Sequence, residues 1–132
     1  MFELLKINNS SIVAPTIVQK PTTASETYTI GEALKLASGT LTEASGTDTA
    51  TFICAESYVA PATGMKDISV YQLDGNQEYI TTFSATPTSL VAGSKVTLHT
   101  DGGQVTATTT SGTVELVKLL GTTSGSKVIV KF

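Results

Sequence analysis

The chain has 132 residues, enough for one compact domain or two small ones sharing a core, with no need of a disulfide or metal to fold. Charged residues make up 14%, well below the ~25% typical of globular domains, and threonine, serine and glycine fill the difference. The net charge is −3 and every basic residue is lysine, which argues against nucleic-acid binding; one cysteine leaves no internal disulfide, and no apolar run approaches the ~20 residues of a membrane helix.

The first six residues, Met1 to Lys6, lack the charged start and long apolar stretch of a secretory signal. The overlapping sequons Asn8-Asn9-Ser10 and Asn9-Ser10-Ser11 are therefore read as chance matches. Residues 1 to about 27 differ from the rest. Pro15 and Pro21 stand among Thr, Ser and Ala, with short apolar pieces Ile12-Val13 and Ile17-Val18. Proline removes a backbone donor and favours extended backbone. Two readings stay open: an extended N-terminal arm that docks elsewhere, or a strand packed on its own domain.

The body is expected to begin near Thr27 as a single β domain over 28–132. Tyr28-Thr29-Ile30 starts a strand that Gly31 interrupts. Glu32 to Ala37 has helix-forming composition but is short, and its later counterpart Lys95 to Thr100 alternates as a strand, so a strand is expected over Ala33 to Leu36. Thr49 to Tyr58 reads as one longer strand with Phe52 and Cys54 on one face. Asp67 to Leu73 alternates, Asp74-Gly75-Asn76 is a turn, and Glu78 to Ser84 is expected to return as the second arm of a hairpin. Thr86-Pro87-Thr88 separates expected half-units 28–84 and 88–132. Strands follow over Lys95 to Thr100 and Gln104 to Thr109, and Thr113 to Leu120 fits either a strand or a short buried helix. Val128, Val130 and Phe132 share one face of a last strand. Regular strands between Gly-rich turns point to an all-β fold, a small β-barrel or sandwich.

A phrase recurs. Gly31-Glu32-Ala33-Leu34-Lys35-Leu36 leads to Gly39-Thr40-Leu41-Thr42, and Gly93-Ser94-Lys95-Val96-Thr97-Leu98 leads to Gly103-Gln104-Val105-Thr106. Both copies close on a glycine, a lysine and a strand, through Gly64-Met65-Lys66 and Gly125-Ser126-Lys127. Either the two half-units are a pseudo-repeat, or Gly-rich β sequence has matched itself by chance.

Little in the chain carries chemistry. His99, the only histidine, has Asp101 nearby but in a turn, and reads as a strand-face residue. Cys54 lies in an apolar strand and reads as a buried small hydrophobe rather than a nucleophile. Gly121 to Lys127 fails the phosphate-loop pattern in its spacing and in the strand that follows. Glu43, Asp48 and Glu56, or Asp67, Asp74 and Glu78, lack calcium-loop spacing. Tyr28, Tyr58, Tyr71 and Tyr79 are the only candidates for a sugar-stacking platform, with no tryptophan present, and packing explains them more simply. No catalytic, cofactor or metal residue is assigned.

The whole arrangement resembles a tailed-bacteriophage capsid decoration protein, also called a head-stabilising or cement protein. The resemblance rests on the Pro-containing N-terminal segment, Tyr28 to Leu36, Gly39 to Thr42, Thr51 to Cys54, Gly93 to Gly102 and Gly125 to Phe132. These motifs are glycines, threonines and aliphatics, and so low in specificity. The resemblance implies a structural protein on the outer surface of the virion, made in the host cytoplasm. Its partner would be the major capsid protein, and it would sit there as a homotrimer. The arm would order on the capsid by strand addition. Ile12, Val13, Pro15, Ile17, Val18 and Pro21 would then carry the capsid contact, and deleting 1–27 would leave a folded domain. The chain departs from the family in lacking tryptophan and in its recurring phrase. The rival readings are a fibre or spike segment and a carbohydrate-binding module using Tyr71 or Tyr79.

Overall fold

The computed structural model describes residues 1–10 and 15–132. Among these residues there are twelve strands and no helix: β1 (Glu3–Ile7), β2 (Ile17–Pro21), β3 (Thr27–Tyr28), β4 (Ala33–Ala37), β5 (Thr40–Glu43), β6 (Phe52–Cys54), β7 (Tyr58–Val59), β8 (Asp67–Gln72), β9 (Gln77–Thr82), β10 (Lys95–Val96), β11 (Val114–Leu119) and β12 (Lys127–Lys131). They build two open, five-stranded sheets in a sandwich-like arrangement. The N-sheet runs β2-β8-β6-β4-β5 and the C-sheet β1-β9-β12-β11-β10, while β3 and β7 form a separate ribbon. Every pairing between named strands is antiparallel.

Side-chain alternation decides where each face goes. In the C-sheet, Tyr79, Val96, Val114, Leu116, Val128 and Val130 turn one way and are buried. They meet Ala33 and Ile53 of the N-sheet in one core, with Phe2 wedged in beside them. The alternate residues of the N-sheet, Leu34, Phe52, Cys54, Ile68 and Val70, face the opposite way into a second core. Tyr28 and Ala60, at the ribbon, join that second core. The centre of the N-sheet is thus buried on both faces, and the C-sheet on one. Each aliphatic side chain so enclosed contributes about 1.5–3 kcal/mol of transfer free energy. Ser38 and Gly39, with φ of 51° and 88°, make the two-residue turn of the β4–β5 hairpin. That backbone matches the right-handed strand twist.

The recurring phrase is geometry as well as sequence. The Gly31 N–H donates to the Cys54 carbonyl at 2.9 Å, and the Gly93 N–H to the Leu116 carbonyl at 2.7 Å. The Cys54 N–H reaches the Glu32 carbonyl at 2.8 Å, and the Leu116 N–H the Ser94 carbonyl at 2.8 Å. Leu34 pairs with Phe52 as Val96 pairs with Val114. All these partners are separated by one constant sequence offset. The strand orders agree too: β2-β8-β6-β4 in one sheet and β9-β12-β11-β10 in the other. Even the closing contacts correspond, as the parallel bridges Thr22↔Leu41 and Phe83↔Val105.

The pseudo-repeat explains where the sequence reading needs correction. Residues 3–7 and 17–21 are not a free extended arm: β1 is an end strand of the C-sheet and β2 an end strand of the N-sheet. The second reading of this segment, strands packed on their own domain, describes them. Glu78 to Ser84 is not the return arm of a hairpin with β8. β8 pairs with β2 and β6, whereas β9 pairs with β1 and β12. The Asp74-Gly75-Asn76 turn is real, with Gly75 at φ 80° and the Asn76 N–H on Asp74 Oδ1 at 3.0 Å. It carries the chain from one sheet to the other, because each strand finds four or five register partners outside its neighbour. The boundary between half-units therefore falls between β8 and β9 rather than at Thr86-Pro87-Thr88.

Three smaller differences are local. The long strand over Thr49 to Tyr58 is split into β6 and β7, and Cys54 Sγ donates to the Glu56 carbonyl within the break. Gln104 to Thr109 is no named strand, yet Leu98↔Val105 and the Thr106 N–H to Thr97 carbonyl bond at 2.9 Å lay it beside residues 97–99. Thr113 to Leu120 resolves as strand β11, with a bulge between Leu116 and Lys118.

Candidate interaction surface

Of the residues singled out for surface contact, Ile12 and Val13 lie outside the described residues. Ile17 and Val18 are neighbours on β2 and so point to opposite faces. Val18 leans on the second core, opposite Val70, and Ile17 is 57% exposed. Pro15 is half-buried and Pro21 exposed. Among the described residues, the one strand-type contact on the second edge of β2 is the Thr22↔Leu41 bridge. That edge, with Ile17 beside it, is one place on the N-sheet where another strand could add.

The tyrosines are mostly committed to structure. Tyr28 is buried; its hydroxyl donates to the Leu41 carbonyl at 2.8 Å and accepts the Thr23 N–H. Tyr79 is fully buried, its hydroxyl on Gln77 Oε1 at 3.2 Å, so it offers no face for sugar stacking. Tyr71 packs against the core between the sheets, and Tyr58 lies under the Lys66 ammonium.

Candidate chemistry is scattered. The Cys54 thiol is fully enclosed, and burial pushes it up to about 11, away from the thiolate. His99 Nδ1 approaches Asp101 Oδ1 at 3.1 Å, an ion pair once the imidazole is protonated. Asp48 is paired with Lys35 at 2.7 Å and Glu56 with Lys66, and both carboxyls are held below their usual range by these lysines. Among the described residues, no three acidic, histidine or cysteine side chains converge in a geometry that could hold a metal. A concavity of about 150 Å³ is lined by Met1, Glu3, Ile80, Thr81, Thr82 and Lys127. It contains no nucleophile paired with a base.

One polar cluster was missed in the sequence. Glu32 is 4% exposed and lies where the hairpin of residues 97–106 meets the N-sheet. Its Oε2 accepts the Thr29 N–H at 2.9 Å. Burial, then the neighbouring Glu43 and Glu26 charges, raise its carboxyl to about 7, against the pull of the Thr29 bond. Glu43 is also raised, by burial first and then by Asp101. Gly102, at φ 58°, passes between the two glutamates: a Cβ there would stand 2.9 Å from Glu43 Cγ and 3.1 Å from Glu32 Cγ. The one clue available was that Glu32 occupies the repeat position held by Ser94.

Compared with known proteins, the chain matches no family model, no curated protein and no solved structure.

Proposed function

We propose that this chain is a structural virion protein that binds the outer surface of an icosahedral phage head and stabilises it. The observation that carries the reading is the end position of β2 in its sheet with Ile17 57% exposed on it. A strand of the major capsid protein adding to that edge would gain affinity from backbone hydrogen bonds, and Ile17 would supply the apolar contact. The low charge of the chain favours such docking, since few ions would lose their water. Repeated copies on a shell, each a homotrimer, would turn modest single contacts into firm attachment. Of the proposed contact residues Ile12, Val13, Pro15, Ile17, Val18 and Pro21, Val18 is engaged in the second core, and the proposal leans on Ile17.

The test is co-sedimentation with phage heads stripped of surface proteins, using the wild type and Ile17→Lys. The wild type is expected to sediment with heads, and the variant to lose at least tenfold in affinity while keeping its fold by circular dichroism. Wild-type protein that stays in the supernatant, or a variant that binds equally, would overturn the reading. Sedimentation equilibrium of the free protein checks the trimer.

A further inference from the structure

The turn before β4 and the turn before β10 are the same structure with different chemistry. In the second, the Ser94 Oγ accepts the Val91 N–H at 3.2 Å, as the Glu32 carboxyl accepts that of Thr29 in the first. The Glu32 N–H reaches the Thr29 carbonyl at 3.0 Å, and the Ser94 N–H the Val91 carbonyl at 3.0 Å. Both turns contain a glycine at positive φ, Gly31 at 86° and Gly93 at 89°. A neutral hydroxyl therefore suffices to cap this turn. A carboxyl in its place, buried and facing a second carboxyl, costs stability whenever both are ionised.

The place where this happens is the contact between the half-units. The Ala33 N–H, next to Glu32, donates to the Gly102 carbonyl at 2.7 Å. Gly46 and Leu98 exchange both backbone bonds, at 2.9 and 3.1 Å. These bonds hold the 97–106 hairpin against the N-sheet. Around them stand Glu32 from the turn before β4, Glu43 from the end of β5, and Asp101 with His99 from the hairpin itself. Glu26, from the loop before β3, adds a further negative charge. Tyr28 and Cys54 are the other titrating groups that feel Glu32, and neither is positive. Among the described residues, His99 is the basic side chain that acts against these charges, at Glu43 and Asp101.

We propose that this carboxyl cluster makes the contact between the two half-units a proton-controlled latch, closed while Glu32 holds a proton and loosened when it is lost. With Glu32 neutral, the charge repulsion between Glu32 and Glu43 is gone, since Glu43 is one of the groups that raise the Glu32 carboxyl. With Glu32 ionised, the Glu32 and Glu43 carboxylates stand on either side of Gly102, and Asp101 adds its charge to Glu43. The Glu32 carboxyl is raised above its ordinary value in the folded chain, so the folded state binds the extra proton between about 4.5 and about 7. Its stabilising contribution is complete below about 4.5, falls as pH rises, and is gone above about 7.

The experiment is urea unfolding of the full chain from pH 5 to pH 8.5, with amide exchange read at Ala33 and Leu98. The wild type should lose at least about tenfold in its folding equilibrium constant across that range. Exchange at those two amides should accelerate beyond the base-catalysed trend shown by core amides such as Val130. Glu32→Ser, which installs the residue of the other turn, should flatten both effects. Should that variant fold poorly, Glu43→Gln serves instead, and is expected to move the midpoint of the wild-type profile to lower pH, because Glu32 then ionises without a neighbouring negative charge that raises it. A carbon-13 titration of the wild-type Glu32 carboxyl fixes its midpoint directly. A wild-type profile flat from pH 5 to 8.5, a Glu32 midpoint below about 5.5, or an unchanged slope in Glu32→Ser would each overturn the latch.

Discussion

One row of three residues crosses each sheet at the same place in the pseudo-repeat. In the N-sheet it reads Ala33, Ile53 and Tyr71, joined by the pairings of β4, β6 and β8. In the C-sheet it reads Lys95, Glu115 and Lys131, across β10, β11 and β12. Ala33 and Ile53 have no exposed surface, whereas Lys95 is exposed and Lys131 forms a 3.3 Å ion pair with Glu115. The backbone is the same in both, so strand order alone does not decide what a face becomes. The difference lies in what covers it. The core side of the C-sheet lies on the back of the N-sheet, and the core side of the N-sheet lies under the ribbon of β3 and β7. Among the described residues no further sheet lies on the back of the C-sheet, and charges end the stack there.

The largest test of this arrangement is truncation. Removing residues 1–27 takes β1 from one sheet and β2 from the other, and with them Phe2, which is 3% exposed and meets Phe132 edge-on at 5.1 Å. Loss of a buried phenylalanine side chain alone costs about 3–5 kcal/mol, a large part of the ~5–15 kcal/mol of a typical domain. The truncated chain is expected to show no cooperative urea transition by circular dichroism. A sharp transition near that of the full chain would mean that these strands are accessory, and would restore the free-arm reading.

A charge in the wrong row should be nearly as damaging. Ile53→Glu places in the N-sheet row the residue that the C-sheet carries at Glu115. Ile53 is fully buried, and no lysine lies beside it as Lys131 lies beside Glu115. A buried unpaired carboxylate is expected to cost about 4 kcal/mol or more, or to stay protonated. Urea unfolding reads the loss, which should lessen below pH 5 as the carboxyl takes up a proton. Stability within about 1 kcal/mol of the wild type at pH 7 would mean that the two rows differ less in burial than described.

These rows also measure what the sequence discloses. The alternation of Asp67 to Leu73 and of Lys127 to Lys131 is visible along the chain, and so is the class of fold. The alternation of charge in Lys95, Glu115 and Lys131 is visible only after register joins residues from three strands. The β8–β9 connection misleads for the same reason. Asp74-Gly75-Asn76 states that the chain turns, and nothing local states which sheet it turns into. Residues 17–21 read as part of an arm because Pro15, Pro21 and the short apolar pieces give β2 no strong period. Comparison with β9, its counterpart beside β12, is what places it. The cluster of Glu32, Glu43 and Asp101 had no motif, because its members come from a turn, a strand end and a distant hairpin.

The smallest effect is expected where the charges are meant to be. Glu115 and Lys131 face water on the back of the C-sheet, with side chains 33% and 41% exposed. An ion pair so placed is screened by solvent and salt, and is worth about 0–1 kcal/mol. Glu115→Gln keeps the shape and removes the charge, so its urea midpoint should move by the equivalent of about 0.5 kcal/mol or less. The same row with the charge replaced by an apolar residue is a different matter. Glu115→Ile gives the C-sheet the side chain that lets the N-sheet accept a neighbour. Its stability should change little, but an uncovered apolar row should now promote self-association, seen as an earlier elution volume that depends on concentration. If Glu115→Gln proves strongly destabilising, the row is part of the core energetics and not a solvated boundary. If Glu115→Ile elutes as the wild type does at every concentration, charge is not what ends the stack.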